Sequence, residues 1–284
     1  MTGSHRPRKR FGQHFLAATW VQKIIDAIAP QPSDSFLEIG PGTGALTRPL
    51  AAAGRPVLAV EIDRHLAAKL AAEMPPNVTI VSGDVLELDL VGILSGLLPQ
   101  RVPGDLGPDA SLRRVRVVGN LPYYITGPIL FRLIEWHRHH SCFADATLMV
   151  QREVADRLTA RAGTKAYGTF GILVGRHANI ERLLELPPGA FKPPPKVRST
   201  LLRVTFTPPV VRVADERTFE RLTKALFSQR RKTLSNALKQ FHQQGADALV
   251  KSGLDGRRRP ETLSPAELAR LSDLLTVADR PAVL

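Results

Sequence analysis

Short apolar runs alternate with amphipathic stretches along the first two-thirds of the chain. The runs have the length of buried strands and occupy residues 35–39, 57–60, 78–81, 115–118, 146–150 and 201–206. Helical spacing recurs between them, at Trp20, Ile24, Ile25 and Ile28, over residues 64–73, and at Ile129, Leu130, Leu133 and Ile134. Strands that alternate with helices predict an α/β fold with a largely parallel, Rossmann-like sheet.

The pattern changes after the last predicted strand. Pro208 and Pro209 read as a linker, and from about Arg217 the chain shows helical periodicity alone. The apolar face of these helices consists of Phe219, Leu222, Leu226, Leu234 and Leu238. We therefore expect an α/β domain over residues 1–207 and a small all-helical domain over residues 208–284. Residues 92–111 are rich in Gly and Pro and are expected to form a loosely ordered connection.

Charge changes the picture, because the chain carries a formal charge of +13, from 39 Lys and Arg against 26 Asp and Glu. So large an excess favours a polyanionic partner, with RNA or DNA first and an anionic membrane surface second. The cations form one group in a basic N-terminal arm and another on the C-terminal helices. These groups include Arg8, Lys9, Arg10, Arg230, Arg231 and Lys232.

Several other classes of protein and site are disfavoured. A single Cys, Cys142, excludes an intramolecular disulfide and a Cys-based metal cage. His137, His139 and His140 cluster, but no carboxylate stands at ligand spacing, so we expect no metal. The N-terminus does not resemble a signal peptide, and no apolar run reaches the roughly 18 residues that span a bilayer. We expect a soluble, cytoplasmic protein.

A glycine-rich turn follows the first predicted strand, with Gly40, Gly42 and Gly44 at alternate positions. Such glycines let the backbone turn sharply and approach a ligand closely. Glu61 ends the second strand about 20 residues later, where a carboxylate can accept both hydroxyls of a ribose. Asp84 follows the third strand and either accepts an adenine amino group or caps a turn. The glycine spacing differs from that of pyrophosphate-binding turns, which favours a nucleoside with a small charged tail, such as S-adenosylmethionine.

The fourth strand leads into the sequence Asn-Leu-Pro-Tyr at residues 120–123. An exocyclic amino group is a poor nucleophile because its lone pair is delocalised into the ring. The side-chain oxygen of Asn120 and the carbonyl of Leu121 can each accept one of its N–H bonds, which favours a localised lone pair. Tyr123 can stack on the base, a contact that contributes about 1–3 kcal/mol. The alternative is an Asn-Pro type of turn with a core tyrosine.

Seven motifs in this order resemble those of the KsgA-type small-subunit ribosomal RNA adenine N6,N6-dimethyltransferases, over nearly the full length. They are FGQHFL at 11–16, EIGPGTG at 38–44, EID at 61–63, GD at 83–84, NLPY at 120–123, FKPPPKV at 191–197 and RRKT at 230–233. The resemblance implies a Rossmann-like, S-adenosylmethionine-dependent methyltransferase domain followed by a small helical domain that docks ribosomal RNA.

Site residues follow from the resemblance position by position. It implies that Gly40, Gly42, Glu61, Asp84 and Asn120 contact the cofactor, and that His14 and Leu16 close over it. The sequence departs from the family at two positions. His14 stands where Asn is common, and Leu148 stands where relatives often place a Phe against the target adenine, which leaves Tyr123 as the stacking residue.

We therefore expect S-adenosylmethionine-dependent dimethylation of two adjacent adenosines near the 3′ end of small-subunit ribosomal RNA, by a monomer whose partner is the small subunit. One alternative is a resistance-type methylase that acts on one adenine of large-subunit RNA. A second is a non-catalytic RNA-binding assembly or transcription factor on the same scaffold. An adenine-specific DNA methylase is disfavoured because the chain has no added recognition domain of usable size.

Overall fold

The structure is a computed structural model that describes residues 14–52, 55–97 and 115–278. It separates into two compact units. The sheet unit consists of Met1–Ala155 and Asn179–Phe206, and the helical unit consists of Asp156–Ala178 and Thr207–Leu284. The predicted boundary after residue 207 lies one residue from the change of unit at Phe206. Asp156–Ala178 differs from the expectation, because the sequence placed it in the α/β domain and the structure groups it with the C-terminal helices.

Strands and helices alternate through the sheet unit as far as residue 151. In chain order they are β1 (Phe15–Leu16), α1 (Ala18–Ile28), β2 (Ser35–Ile39), α2 (Thr47–Ala51), β3 (Val57–Glu61), α3 (Arg64–Glu73), β4 (Val78–Ser82), α4 (Leu90–Leu97), β5 (Val115–Asn120), α5 (Thr126–His140) and β6 (Phe143–Gln151). The chain continues through α6 (Arg152–Leu158), α7 (Thr169–Gly175), β7 (Ala178–Leu186), β8 (Phe191–Lys192) and β9 (Ser199–Phe206).

A seven-stranded sheet in the order β4-β3-β2-β5-β6-β9-β7 forms the centre of this unit. The strands from β4 to β6 are parallel, and β9 pairs with β6 in the antiparallel sense. β2, β3 and β5 are almost wholly buried, as expected for strands covered on both faces. The Rossmann-like α/β fold predicted from the sequence is therefore confirmed.

Local chemistry explains several element boundaries. Asp63 caps α3, since its side chain accepts bonds from the backbone N–H groups of His65 and Leu66, and this helix has the predicted bounds. β5 is longer than predicted, because Gly119 and Asn120 still pair with residues of β6.

The prediction of a loosely ordered connection over residues 92–111 was partly wrong. Helix α4 covers the first residues of this range, and residues 98–114 lie outside the described chain. The hydrophobic pattern of the sequence did not predict β7 or the short antiparallel pair of β1 and β8.

Helices alone build the C-terminal part of the helical unit: α8 (Glu216–Ser228), α9 (Leu234–Phe241), α10 (Gly245–Ser252) and α11 (Pro265–Ala278). The predicted apolar residues of α8 and α9 are buried in one core with residues of α10 and α11. Tyr167 belongs to the same core, because its hydroxyl donates to the carbonyl of Leu263 at 2.9 Å and its ring meets Phe227 edge-on. These contacts explain why the segment around Tyr167 joins the helices. Within the described ranges, none of the helices has the length and apolar character needed to cross a bilayer.

Candidate active site

Three neighbouring parallel strands end at the same edge of the sheet and define the candidate site. β2 ends at Ile39, β3 at Glu61 and β5 at Asn120, and their order in the sheet is β3-β2-β5. Ligands of open α/β sheets bind at this carboxyl edge. A cavity there is lined by His14, Phe15, Leu16, Glu38, Gly40, Pro41, Gly42, Thr43, Ala45, Leu46, Glu61, Ile62, Asn120, Leu121, Pro122, Tyr123 and Met149.

The glycine-rich turn and the acid of the next strand are joined directly. Gly40 and Gly42 have φ angles of 69° and 59°, a region that residues with a Cβ rarely adopt. This conformation lets the N–H of Gly42 donate to Oε2 of Glu61 at 3.1 Å, while the N–H of Asp63 donates to Oε1 at 3.0 Å. Glu61 is buried, and burial raises the pKa of its carboxyl despite these bonds.

Glu38 is a further acid at this site that sequence reasoning did not single out. It is 2% exposed, stands next to the last residue of β2, and lines the cavity. Its Oε2 atom has no hydrogen-bond partner among the described residues. Burial raises the pKa of Glu38 to about 7, with the hydroxyl of Thr47 opposing the rise and the charge of Glu61 adding to it. An acid inside an otherwise apolar strand was the signal that could have identified it.

The Asn-Leu-Pro-Tyr sequence presents hydrogen-bond acceptors to the cavity. The Nδ2–H group of Asn120 donates a hydrogen bond to the carbonyl of His14 at 2.8 Å, which leaves Oδ1 free to accept a bond from a ligand. The N–H of Leu121 donates to the carbonyl of Met149, and no donor among the described residues bonds the carbonyl of Leu121. Pro122 accepts the N–H of Ile125 in the turn that leads into α5. Two acceptors of the predicted kind therefore belong to the cavity lining.

The side chain of Tyr123 has contacts at its hydroxyl and on one face of its ring. Its hydroxyl lies 2.9 Å from Oγ of Ser199, and burial raises the pKa of Tyr123. The ring of His14 stacks on Tyr123, with centroids 5.9 Å apart and planes 25° apart. Nδ1 of His14 lies 2.7 Å from the carbonyl of Pro193, so Nδ1 carries the proton, because a carbonyl can only accept. His14 thus covers one face of the tyrosine.

Asp84, a predicted cofactor contact, and Leu148, the position of a departure from the family pattern, are both absent from the cavity lining as described. Leu148, the departure from the family pattern, is fully buried in β6, and its neighbour Met149 is the residue of that strand that lines the cavity. Asp84 instead accepts the N–H of Leu86 with Oδ1 at 2.9 Å, and its backbone carbonyl accepts two further N–H groups of the same turn. The turn-capping alternative for Asp84 is therefore present, and its role toward a ligand stays a prediction.

The predicted RNA-binding cations divide into three cases. Arg8, Lys9 and Arg10 lie outside the described residues. In the helical unit, Arg230 donates to the carbonyl of Lys165 and pairs with Glu261, while Lys232 donates to Gln240. Arg231 is exposed and has no side-chain partner among the described residues. Of the three described cations, Arg231 is thus the one most available to a polyanion.

The histidines near the end of α5 have local contacts. The ring of His137 stacks on Phe206 at 4.8 Å and its Nδ1 accepts the N–H of Phe143, while the rings of His139 and His140 meet at a tilt. Burial lowers the pKa of His137. Over the described ranges, no group of three or more His, Cys, Asp or Glu side chains is placed to hold a metal ion.

The class of protein is a Rossmann-like methyltransferase. Its features here are the strand order, the antiparallel β9, and a cavity that is lined by both the glycine turn and the Asn-Leu-Pro-Tyr sequence. Residues 4–277 match the family described as ribosomal RNA adenine dimethylase. The chain belongs to this family.

Named relatives cover almost the whole chain. A protein of Acinetobacter baylyi named ribosomal RNA small subunit methyltransferase A is 41% identical over 273 residues, which are 95% of this chain and 92% of the relative. A protein of the same name from Moorella thermoacetica is 42% identical over 276 residues, with the same coverage of both chains. Such identity over full-length relatives supports the same family assignment.

Two solved structures share the fold. A dimethyladenosine transferase from Plasmodium falciparum superposes with a TM-score of 0.69 at 24% identity, over 91% of this chain and 96% of that one. The 23S rRNA methyltransferase ErmE superposes with a TM-score of 0.60 at 24% identity, over 92% and 99%. Both confirm the predicted architecture, a Rossmann-like domain followed by a helical C-terminal part.

Proposed function

We propose that this protein uses S-adenosylmethionine to dimethylate N6 of two adjacent adenosines near the 3′ end of small-subunit (16S) ribosomal RNA during ribosome assembly. The observation that carries the proposal is one cavity lined by Gly40, Glu61, Asn120, Leu121 and Tyr123. A nucleoside-binding turn and a set of acceptors for an amino group meet there, which methyl transfer to an exocyclic nitrogen requires. The names of the relatives, which refer to the small ribosomal subunit, support the choice of substrate.

The residues of the cavity fit the proposed cofactor. Glu61 would accept the ribose hydroxyls, since each of its oxygens accepts one backbone N–H and retains a lone pair. Glu38 would face positive charge on the methionine part, because its buried Oε2 has no partner among the described residues. Leu16 and Ile62 supply apolar walls. When bound, S-adenosylmethionine supplies an electrophilic methyl group.

The substrate adenine would be held by two acceptors. Oδ1 of Asn120 and the carbonyl of Leu121 would each accept one N–H of the adenine N6 amino group. Both bonds favour a localised lone pair on nitrogen, and positioning of this kind can supply roughly 7–11 kcal/mol of the barrier. The base must leave its stack first, a step that costs a few kcal/mol and least in single-stranded RNA. Tyr123 would stack on it with the face that His14 leaves free.

No general base is needed in this scheme. Once methylated, a positively charged N6 is strongly acidic and loses its proton unaided. The cavity therefore has to position and desolvate the amino group rather than abstract a proton from it. This requirement fits a lining in which the groups next to Asn120 are apolar or aromatic, as with Leu121, Pro122 and Met149.

The wider proposal concerns partner and location. A charge of +13 supports a ribosomal RNA partner. We assign RNA docking to the helical unit, where Arg231 is exposed, and to the N-terminal arm. A protein that modifies assembling subunits has to meet them in the cytoplasm. The expected monomeric state is checked by light scattering of the purified chain with and without small subunits.

The direct test uses small and large ribosomal subunits that lack adenine dimethylation. Each is incubated with the protein and methyl-labelled S-adenosylmethionine, and the RNA is digested and analysed for N6,N6-dimethyladenosine. We expect label in small subunits alone, at two adjacent adenosines. Label in large subunits would establish the resistance-type alternative. Binding without label in either subunit would support the non-catalytic factor.

A further inference from the structure

Residues 192–199, here called the rim segment, form a cationic stretch for which the proposed mechanism has no use. Lys192, Lys196 and Arg198 are exposed, and the sequence from 186 to 214 contains no acid. None of the three side chains forms an ion pair within the described residues. Three uncompensated cations on a short segment are typical of a surface that meets a polyanion.

The rim segment is attached to the cavity at both ends. The carbonyl of Pro193 accepts Nδ1–H of His14 at 2.7 Å, and Oγ of Ser199 lies 2.9 Å from the hydroxyl of Tyr123. Phe15, which also lines the cavity, pairs with Lys192 between β1 and β8. The cations of the rim segment are therefore held beside the cavity by its own lining residues.

The middle of the segment is also fixed. Pro195 is buried, and the carbonyl of Arg198 accepts the N–H of Arg152 at 3.0 Å. Consecutive prolines restrict the backbone before a ligand arrives, which lowers the entropy lost on binding. Lys196 and Arg198 follow the prolines with their side chains in solvent. This arrangement presents two cations from a backbone that is already ordered.

The charges of the cavity and of its rim are opposite in sign. Glu38 and Glu61 are buried inside, where a phosphate would be repelled, while the cations stand outside. A nucleotide chain whose base enters the cavity must keep its phosphates out of it. Exposed Lys and Arg beside the mouth match that requirement, since both bind phosphate through charge-assisted hydrogen bonds.

We propose that the rim segment binds the backbone phosphates of the nucleotides that flank the target adenosine, with Lys196 and Arg198 as the main contacts. This inference rests on the proposed function, because it takes RNA as the substrate. It adds to that function a second contact surface, separate from the helical unit, that acts at the mouth of the catalytic cavity. Binding there sets which nucleotides enter, since the phosphates fix the register of the strand.

The test compares wild type with the double variant K196A/R198A on undimethylated small subunits. We expect KM for the subunits to rise about tenfold, with kcat and the affinity for S-adenosylmethionine unchanged. The slope of log binding constant against log salt should fall by about 1 to 2, as expected when two phosphate contacts are lost. The charge-preserving variant K196R/R198K should bind nearly as wild type does.

The matched control is R64A/K69A, which removes the same charge from α3. That helix contacts β3 and β4, at the opposite side of the sheet from β9. An equal loss of binding in this control, or an unchanged KM in K196A/R198A, would overturn the proposal. If wild type methylates large subunits instead, the proposed function fails, and the same four proteins assayed on large subunits still decide the role of the rim segment.

Discussion

The two ends of the central sheet differ in the partners of their buried ionisable side chains. At the amino end, Arg116 of β5 is 8% exposed and fully engaged. It donates to both oxygens of Asp145 at 3.0 and 2.8 Å and to Asp34 at 2.9 Å. It also reaches the last carbonyls of α1, at Ile28 and Ala29. Burial disfavours the charged guanidinium, but the two aspartates outweigh it and raise the pKa of Arg116.

At the carboxyl end, two buried acids lie close together with no cation beside them among the residues that the structure describes. Glu38 and Glu61 both line the cavity, and none of the described residues in its lining is a Lys or Arg. Burial raises the pKa of each, and Glu61 raises the pKa of Glu38 further. One oxygen of Glu38 has no partner among the described residues. The described part of the chain thus provides no cation for these two acids, whereas Arg116 at the other end is paired with Asp34 and Asp145.

The difference separates stability from function within one sheet. A paired and hydrogen-bonded charge tolerates burial, whereas an unpaired one costs free energy unless a ligand compensates it. Perturbed acids in a cavity therefore indicate a site built for a ligand with positive charge and hydrogen-bond donors. The comparison predicts that substitutions at the amino end reduce stability and that substitutions at the carboxyl end change binding and turnover.

The largest effect is expected at the carboxyl end, from N120A. The variant loses an acceptor for the adenine amino group and its own bond to His14. We expect methyl transfer to fall about a thousandfold or more, a loss of about 4 kcal/mol of transition-state stabilisation. The measurement is single-turnover transfer of label to small subunits, together with the urea midpoint, which should change little.

A matched control for this variant is N179A. Asn179 lies in β7 at an exposed position, so its removal takes away the same amide from the same unit. Its turnover should equal that of wild type. Near-normal turnover in N120A itself would refute the role of Asn120.

At the amino end, R116M should reduce the free energy of unfolding by about 3 kcal/mol. The substitution keeps volume but removes the cation closest to the partly buried Asp34 and Asp145, and breaking one partner of a largely buried pair has this magnitude. Asp145 keeps only a longer contact with Arg203, at 3.8 Å. Urea denaturation measures the loss, and calorimetry should find an unchanged affinity for S-adenosylmethionine.

Adding D34N and D145N to R116M removes the unpaired charges and should recover part of that stability. If the triple variant is no more stable than R116M, the loss came from packing and not from charge. A reduced cofactor affinity in R116M would remove the distinction between the two ends.

Sequence patterns could predict the carboxyl end better than the amino end. Gly40, Glu61 and Asn120 each follow or end an apolar run, and parallel strands bring such residues to one edge. The sequence around Arg116 contains no comparable signal, because a single cation in an apolar strand does not indicate which acids it pairs with. Asp34 and Asp145 come together with it only through the pairing of β2, β5 and β6.

Other features depended on tertiary contacts that no local pattern encodes. The place of the segment around Tyr167 is decided by its contacts with the core of the helical unit, which come from residues distant in the sequence. Asp84 has the same sequence context as a ligand-binding acid and as a turn cap, and the bond to the N–H of Leu86 fills the second role. The cap at Asp63 was predictable because it depends only on the next three residues.

A smaller effect should follow from E38Q, and it depends on pH. The pKa of Glu38 is raised from 4.5 to about 7 in the folded chain, so the neutral acid is favoured there and ionisation costs stability. Wild type should therefore lose stability relative to E38Q as pH rises from about 4.5 through about 7. Urea midpoints of both proteins across this range measure the difference.

The same pair of proteins can be compared with saturating S-adenosylmethionine. A cationic ligand beside Glu38 lowers the pKa of the carboxyl, so the pH-dependent difference should shrink. Parallel stability profiles for wild type and E38Q without ligand would contradict the assignment of an uncompensated acid at this end.

The smallest expected effect is that of E61Q on cofactor affinity. Gln keeps the shape and one acceptor oxygen but replaces the other acceptor with a donor, so one ribose hydroxyl and one backbone N–H, of Gly42 or Asp63, lose their bond. We expect S-adenosylmethionine to bind about tenfold more weakly, or about 1.4 kcal/mol, by calorimetry. The control is E87Q, at an exposed glutamate outside the cavity lining, which should bind as wild type does. An unchanged affinity in E61Q would favour a scaffold that works without a nucleoside cofactor, because that alternative has no use for a buried acid at the end of β3.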